Sequence, residues 1–342
     1  MHNTEIPHNN LTIEAEEKSA ALKVLNSGWL TSAGQVKEFE NDLCNFFSLP
    51  DGHAMAVSSG SAALYLSLWA LNAKNKKIGI PVYSCCSLRN ATHLIGGKPV
   101  YIDSSVESPN IDINKVKNKN IDILIAPSLY GIPLDITNKY KFKVIEDISQ
   151  AIGSKVKGKK IGLRGDIGVC SFASTKLITS GGQGGVIISK NKSLIKMLKD
   201  YRDFDNRDDE KIRFNFLMTN MQAAIGRAQL KKLPLFLKKR EDIFQQYYNS
   251  GLHLLNPLND DFSPVRHRAI LISPRPNEVI KSLKINKISS IIPLRKRELL
   301  DSKIKYRNAE KFTKKLVAIP MYPRLSKNHQ LRVIKVLQNI SK

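Results

Sequence analysis

Short apolar runs rich in valine and isoleucine recur along the first two thirds of the chain, at residues 77–82, 99–103, 121–126, 143–146, 167–172 and 185–189. Helix-length segments such as 61–73 and 88–95 lie between several of them. Strands alternating with helices predict an α/β fold with a mostly parallel sheet. In such sheets the chemistry gathers at the carboxyl ends of the strands. After about Arg240 the pattern changes to basic, proline-bearing segments with Pro257, Pro264, Pro274, Pro276 and Pro293. That change predicts a large domain over residues 16–240 and a smaller α+β domain over 241–342. The first fifteen residues are expected to pack on the smaller domain, because a chain terminus is ordered only when something ties it down.

Composition narrows the class. At 342 residues and 42% hydrophobic, the chain is long enough for two average domains and a sizeable core. Its longest stretch without a charged side chain, residues 52–73, contains Gly52, His53, Ser58, Ser59, Gly60 and Ser61, so it is not a bilayer span. The first ten residues are polar and hold no apolar leader core. Cys44, Cys85, Cys86 and Cys170 form no C-x-x-C pair and show no metal-ligand spacing. The expectation is a cytoplasmic, reduced protein with no metal site and no membrane partner.

Charge adds a constraint. Lys and Arg number 54 against 30 Asp and Glu, a net of +24, and residues 265–342 alone carry 20 against 4. Such a field attracts polyanions or phosphorylated substrates. No zinc-finger spacing, aromatic RNA-binding motif or basic heptad arm accompanies it, which disfavours nucleic acid as the partner. Solvated helix faces are the plain alternative.

Three segments carry candidate chemistry. Ser58-Ser59-Gly60-Ser61 leads into an apolar helix, whose first turn would turn free N–H groups towards a phosphate. The same residues also suit an ordinary serine cap. Val144-Ile145-Glu146-Asp147 ends a strand on two carboxylates, and Asp147 could equally cap a helix. The strand ending Cys170-Ser171-Phe172 runs on to Ser174-Thr175-Lys176 and a turn with four glycines in positions 181–185. Together these supply an amine, a carboxylate 29 positions before it, and a phosphate cradle. They are the parts a pyridoxal 5'-phosphate (PLP) site requires.

With those residues in view, the sequence resembles the DegT/DnrJ/StrS nucleotide-sugar aminotransferases of the fold-type I PLP enzymes. Further ordered blocks carry the resemblance: Gly28-Trp29-Leu30-Thr31, Leu129-Tyr130-Gly131-Ile132-Pro133, Gln150-Ala151 and Asn220-Met221-Gln222-Ala223-Ala224. It implies an aspartate-aminotransferase-like large domain with a mixed, mostly parallel sheet. It also implies amino transfer from an amino acid, expected to be glutamate, to a nucleotide-linked keto-sugar, expected to be a 4-keto-6-deoxyhexose. By the same resemblance Lys176 would bind the cofactor aldehyde and Asp147 would pair with the pyridine nitrogen. Gln150 would touch the ring 3-oxygen, and Gly60, Ser61 and Ser171 would hold the phosphate. Asn215 would reach the cofactor phosphate of a neighbouring subunit, which implies a homodimer with shared sites. Trp29, Thr31 and Tyr83 are the candidates for substrate contact.

The sequence departs from the family pattern on the substrate side. Cys85 stands where a flat ring-stacking side chain is usual, with Tyr83 as the alternative after a register shift. Cys85 and Cys86 otherwise read as small buried hydrophobes. Leu217 replaces an arginine and Arg295 a histidine. Relatives with histidine at the lysine position act as dehydratases, and Lys176 argues against that chemistry. Two other readings stay open: a PLP-binding homologue without turnover that serves as a regulatory or scaffold partner, and nucleic-acid binding through the basic last third.

Overall fold

The protein, a computed structural model, is described over residues 5–117, 119–136, 140–256 and 259–341. Seven strands form one sheet in the order Ala54–Val57, Gly185–Ile188, Ile167–Ser171, Lys143–Asp147, Ile123–Pro127, Lys77–Pro81, Lys98–Ile102. From Ile167–Ser171 outward to Lys98–Ile102 every pairing is parallel. Gly185–Ile188 runs against both of its neighbours. The six Val/Ile-rich runs are thus six of the seven strands, and the sheet is mixed and mostly parallel. The seventh, Ala54–Val57, has four residues and two alanines, so no β-branched run marks it in the sequence.

Burial on both faces explains the unbroken apolar character of these strands. Met55, Val57, Ile123, Ile125 and Ile187 pack on one side, under the apolar helix Gly60–Ala70. Ala54, Ala56, Val186 and Ile188 pack on the other, against the helix Gly34–Phe46 and the first half of the helix Asn220–Asn249.

The long helix Asn220–Asn249 crosses residue 240 without a break. What changes there is its buried partner. Leu230, Leu233 and Phe236 face the large sheet, whereas Ile243, Phe244 and Tyr247 join a separate cluster. That cluster is built on the antiparallel pair Ala269–Ile272 and Leu316–Ile319 and the helices Pro276–Ile285 and Lys327–Ser341. Ile6 is buried in the same cluster, donating its N–H to the Lys287 carbonyl (2.9 Å) and accepting from Ser289 N–H (2.8 Å). Pro257 lies outside the described residues. Among the described residues no helix is long and apolar enough to cross a membrane.

The segment 265–268 is stitched to the turn Leu129–Gly131. Val265 N–H donates to the Gly131 carbonyl (3.1 Å), and so does the Ser154 hydroxyl (2.8 Å). Gly131 has φ +89°, and a Cβ there would stand 1.7 Å from the Val265 carbonyl oxygen. Gly131→Ala is therefore expected to cost about 3 kcal/mol or more. Gly158→Ala, at φ +71° with nothing within 4 Å of its added Cβ, should cost only about 1–2 kcal/mol. Urea unfolding of the two variants checks this, and equal losses would refute the close approach.

Candidate active site

The strands Lys143–Asp147 and Ile167–Ser171 are parallel neighbours with Asp147 opposite Val169, so their carboxyl ends emerge at one edge of the sheet. Ala54–Val57 shares their direction, because it and Ile167–Ser171 are both antiparallel to Gly185–Ile188. It runs out at the same edge into Ser58 and Ser59 and then the helix that begins at Gly60. A cavity of about 280 Å³ opens there. It is lined by Gly60, Ser61, Cys85, Asp147, Gln150, Ser171 and Lys176, together with Ser59, Ser84, Ser87, Ser149, Thr175 and Gln183.

Local chemistry explains each placement. The Ser59 hydroxyl accepts from Ala62 N–H (3.1 Å) and starts the helix, so the serine cap belongs to Ser59. Gly60 then lies against the neighbouring strand end: a Cβ on it would stand 2.6 Å from the Ser171 Cβ. The helix N-terminus, with its unspent N–H groups, can sit there only because no side chain intervenes. Asp147 Oδ1 accepts from Ser149 N–H (3.0 Å), and the Ser149 hydroxyl accepts from Ser171 N–H (3.0 Å). Gln150 Oε1 accepts from Tyr130 N–H (2.8 Å), which leaves its NH2 group as its remaining donor. Glu146 plays no part in the cavity. Its buried carboxylate accepts from the N–H groups of Gly162, Arg164 and Gly165 at 2.6–2.9 Å and holds the connection between the two strands.

Lys176 sits in a turn fixed from three sides. Its own N–H donates to the Ala173 carbonyl (3.0 Å), and Ser174 N–H donates to the Gly182 carbonyl of the glycine-rich turn (3.1 Å). The Thr175 carbonyl lies 3.1 Å from His267 Nε2. His267 is buried, and its pKa is held well below 6.5, first by burial and then by the positive charges of Arg268, Lys176 and Arg240. The neutral ring carries its proton on Nε2 and donates it to Thr175.

The remaining candidates lie elsewhere. Tyr83 is buried with its hydroxyl 2.8 Å from that of Tyr130, so of the two readings for the stacking position it is Cys85 that faces the cavity. Burial raises Tyr83 well above 10 and Tyr130 to about 12. Cys85 and Cys86 are exposed, not buried, because they open the helix Cys86–Leu94 at the cavity mouth. Asn215 is exposed and accepts from Leu217 N–H (3.1 Å); it does not line the cavity, and the next residue ties its segment to the site's border through the Phe216 carbonyl, which accepts from Ser58 N–H (2.9 Å). Trp29 and Thr31 are exposed as well. Asn220 pins their segment, donating Nδ2–H to the Trp29 carbonyl (2.9 Å) and accepting from Ala33 N–H (3.0 Å). Trp29 lines a larger cleft of about 1240 Å³ beside the helices Ala15–Ser27 and Asn220–Asn249, and none of the strand-end residues faces it. Arg295 is exposed and Leu217 half-buried, and neither lines the cavity. Among the described residues no cluster of His, Cys, Asp or Glu could hold a metal ion.

The sequence reading did not pick out Ser84, Ser87, Ser149 or Gln183, whose residue types carry no distinguishing pattern. His267 escaped it because ninety-odd residues separate it from Thr175.

A sequence model of the DegT/DnrJ/EryC1/StrS aminotransferase family matches residues 11–338. A GDP-perosamine synthase of Vibrio cholerae is 29% identical, with 71% of this chain and 70% of that protein covered. A UDP-4-amino-4,6-dideoxy-N-acetyl-beta-L-altrosamine transaminase of Campylobacter jejuni is 30% identical, covering 71% and 68%. Among solved structures, S. venezuelae DesV in complex with a ketimine intermediate superposes with a TM-score of 0.91 at 23% identity, over 99% of both chains. Helicobacter pylori PseC, an aminotransferase of pseudoaminic acid biosynthesis, gives 0.87 at 23% identity, over 98% of this chain and 99% of that one.

Buried His267 and half-buried His8 set a pH dependence. His267 titrates well below 6.5 and His8 at about 4, in both cases chiefly through burial. The unfolded chain takes up protons on these rings through pH 6.5 while the folded protein does not. Their contribution to stability is therefore full above 6.5 and is lost as the pH falls towards 4. Melting temperature should drop across that window, and His8→Gln should make the drop shallower. The same slope in His8→Gln and the parent would contradict the assignment.

Proposed function

The chain belongs to the DegT/DnrJ/EryC1/StrS aminotransferase family, and from that premise we propose that it moves an amino group from glutamate to a nucleotide-linked 4-keto-6-deoxyhexose. The protein is a pyridoxal-phosphate-dependent aminotransferase. The nucleotide-sugar half of the reading draws on the relatives, one a GDP-perosamine synthase and another a transaminase of a UDP-linked amino sugar. The net charge of +24 suits steering of an anionic nucleotide handle. The product would feed surface-glycan or related amino-sugar synthesis. The observation that carries the reading is that Lys176, Asp147 and the Gly60–Ser61 helix start line one cavity.

The residues fit the cofactor. The helix start lies against Ser171, where a Cβ on Gly60 would stand 2.6 Å from the Ser171 Cβ, and Ser59, Ser61, Ser149 and Ser171 line the cavity beside it. When bound, PLP supplies an electron sink for the substrate carbon and carries the amino group between half-reactions. Lys176 Nζ would hold the aldehyde of the cofactor, and the same amine would take and return the proton of the donor's α-carbon. The Asp147 carboxylate keeps the proton on the pyridine nitrogen. Gly60 and Ser61 N–H groups and the Ser171 hydroxyl hold the phosphate. The Gln150 NH2 group would donate to the ring 3-oxygen, and Cys85 would pack against the ring.

The same reading divides the chain into a large domain over 16–240 and a small one over 241–342 with 1–15. It makes the protein a cytoplasmic homodimer, with Asn215 reaching the partner's cofactor phosphate and Trp29 and Thr31 contacting the sugar nucleotide. Tyr83, buried against Tyr130, is left out of that contact. Exposed Trp29 (71%), Ile212 (88%) and Phe214 (64%) support an interface near these residues. Four free cysteines suit a reducing compartment.

Purified protein incubated with PLP should develop the visible absorption of lysine-linked cofactor, and borohydride should trap the label at Lys176. Lys176→Ala should lose the band and all turnover. Incubation with glutamate and either GDP- or UDP-linked 4-keto-6-deoxyhexose should yield the amino sugar by mass. A working glutamate half-reaction with no transfer to either sugar would refute the substrate assignment. The shared site is tested by mixing inactive Lys176→Ala with inactive Asn215→Asp: hybrid dimers should regain activity, and none would appear if Asn215 served its own protomer.

A further inference from the structure

His267 is a buried polar side chain that its surroundings only half satisfy. It is 5% exposed. Its Nε2 lies 3.1 Å from the Thr175 carbonyl, and among the described residues its Nδ1 is enclosed with no partner. Burial and the nearby positive charges keep the ring neutral, so the proton on Nε2 leaves Nδ1 as an unused acceptor. Burying an acceptor without a donor is costly, and an apolar ring of similar shape would avoid that cost. What the histidine gives in return is its Nε2–H bond to Thr175.

That bond joins a fixed segment to an open one. On the histidine's side, His267 N–H donates to the Tyr130 carbonyl (3.3 Å), and the His267 carbonyl accepts from Arg240 Nη1 (3.0 Å). The strand Ala269–Ile272 begins two residues later. On the other side Thr175 and Lys176 line the cavity, with Thr175 exposed and Lys176 half-buried. The Thr175 carbonyl and the Lys176 N–H belong to one planar trans peptide unit and point in opposite directions. The carbonyl accepts from His267, while the N–H donates to the Ala173 carbonyl (3.0 Å). The peptide plane that leads into the Lys176 α-carbon is thus held at both of its ends, and at one end the hold is a buried side chain from a distant part of the chain.

We propose that His267 is the positioning residue for Lys176, locking the Thr175–Lys176 peptide plane and with it the direction in which the lysine side chain enters the cavity. The inference rests on the assignment of Lys176 to the cofactor aldehyde made above. An amine that must meet an aldehyde and later carry a proton tolerates little error in placement: a shift of about 1 Å can slow a reaction by about 100-fold. An exposed turn beside a cavity does not supply that precision by itself. A ring fixed in the interior does.

The test compares three variants. His267→Gln places an N–H group where Nε2 stands, His267→Asn places one nearer Nδ1, and His267→Phe keeps a ring without a donor. Two ligands separate the lysine from the rest of the cavity: PLP, whose aldehyde takes up the amine, and pyridoxine 5'-phosphate, whose alcohol cannot. Calorimetry on cofactor-free protein measures both. His267→Phe and His267→Asn should bind PLP about 10-fold more weakly and pyridoxine 5'-phosphate as the parent does. In stopped-flow absorbance they should react with glutamate about 10- to 100-fold more slowly at saturation, with the half-saturating concentration within about 2-fold of the parent's. His267→Gln should stay close to the parent in every measurement. Cofactor-free His267→Phe should melt within about 4 °C of the parent, because the unused acceptor is removed together with the bond. Parent-like PLP binding and glutamate rate in both His267→Phe and His267→Asn overturn the inference. So does equal weakening of pyridoxine 5'-phosphate, which marks a role in the shape of the whole cavity. If His267→Phe does not fold, the other two variants decide: a defect in His267→Asn alone supports the inference, and equal defects overturn it. Borohydride label in the parent at a lysine other than Lys176 refutes the site assignment, and the inference falls with it.

Discussion

The approach of the helix Gly60–Ala70 to the end of the strand Ile167–Ser171 decides the geometry of the whole site. A Cβ at Gly60 would stand 2.6 Å from the Ser171 Cβ, and one at Gly185 would stand 2.4 Å from the Ser59 carbonyl oxygen. Two glycines therefore let a helix N-terminus press against two adjacent strands. The apolar helix is held in that position by burial of Ala63, Leu64, Leu66 and Leu68 against the sheet. The cost of excluding side chains at the contact is met by packing several residues away. What results is a backbone surface rich in N–H groups within one cavity of a carboxylate and an amine.

Buried charge is handled in two ways. Structural charges are neutralised where they stand: Glu146 by three N–H groups, Arg202 by Glu40, and Lys232 by Glu14 and Glu17 at 3.0 and 3.1 Å. Around the cavity the pattern differs. Asp147 and Lys176 face the same space without an ion pair between them among the described residues. Charges that the fold does not satisfy internally are the ones available to a ligand, and Asp147 and Lys176 line one cavity at the strand ends.

The second part of the chain contributes by contact and not by lining. Its segment 265–268 bonds to Gly131 and Tyr130 on one side and to Thr175 on the other. The turn that carries Lys176 and the turn that orients Gln150 thus share one support. Tyr130, at φ +58°, is held in a conformation that a tyrosine adopts only when its surroundings over-determine it. Its N–H to Gln150 and its hydroxyl to Tyr83 supply that constraint.

Much of the fold was legible because strands covered on both faces of a sheet are apolar along their length, so that six of the seven strands, five in the parallel part and Gly185–Ile188 running against it, stood out as Val/Ile runs. Ala54–Val57 did not, since alanine fills a crowded two-sided position without a β-branched signature. Asp147 and Lys176 were legible because they stand at or shortly past the ends of recognisable strands, and Gly60 because a run of small residues there opens an apolar helix. The sequence by itself determined the strand set, the residue types at the strand ends and hence the class of chemistry. Only the tertiary structure decided that Cys85 and not Tyr83 faces the cavity, that Glu146 is scaffold, and that His267 meets the turn that carries Lys176. Those outcomes depend on contacts between segments far apart in the chain, and local pattern carries no record of which distant backbone will supply, or fail to supply, a partner.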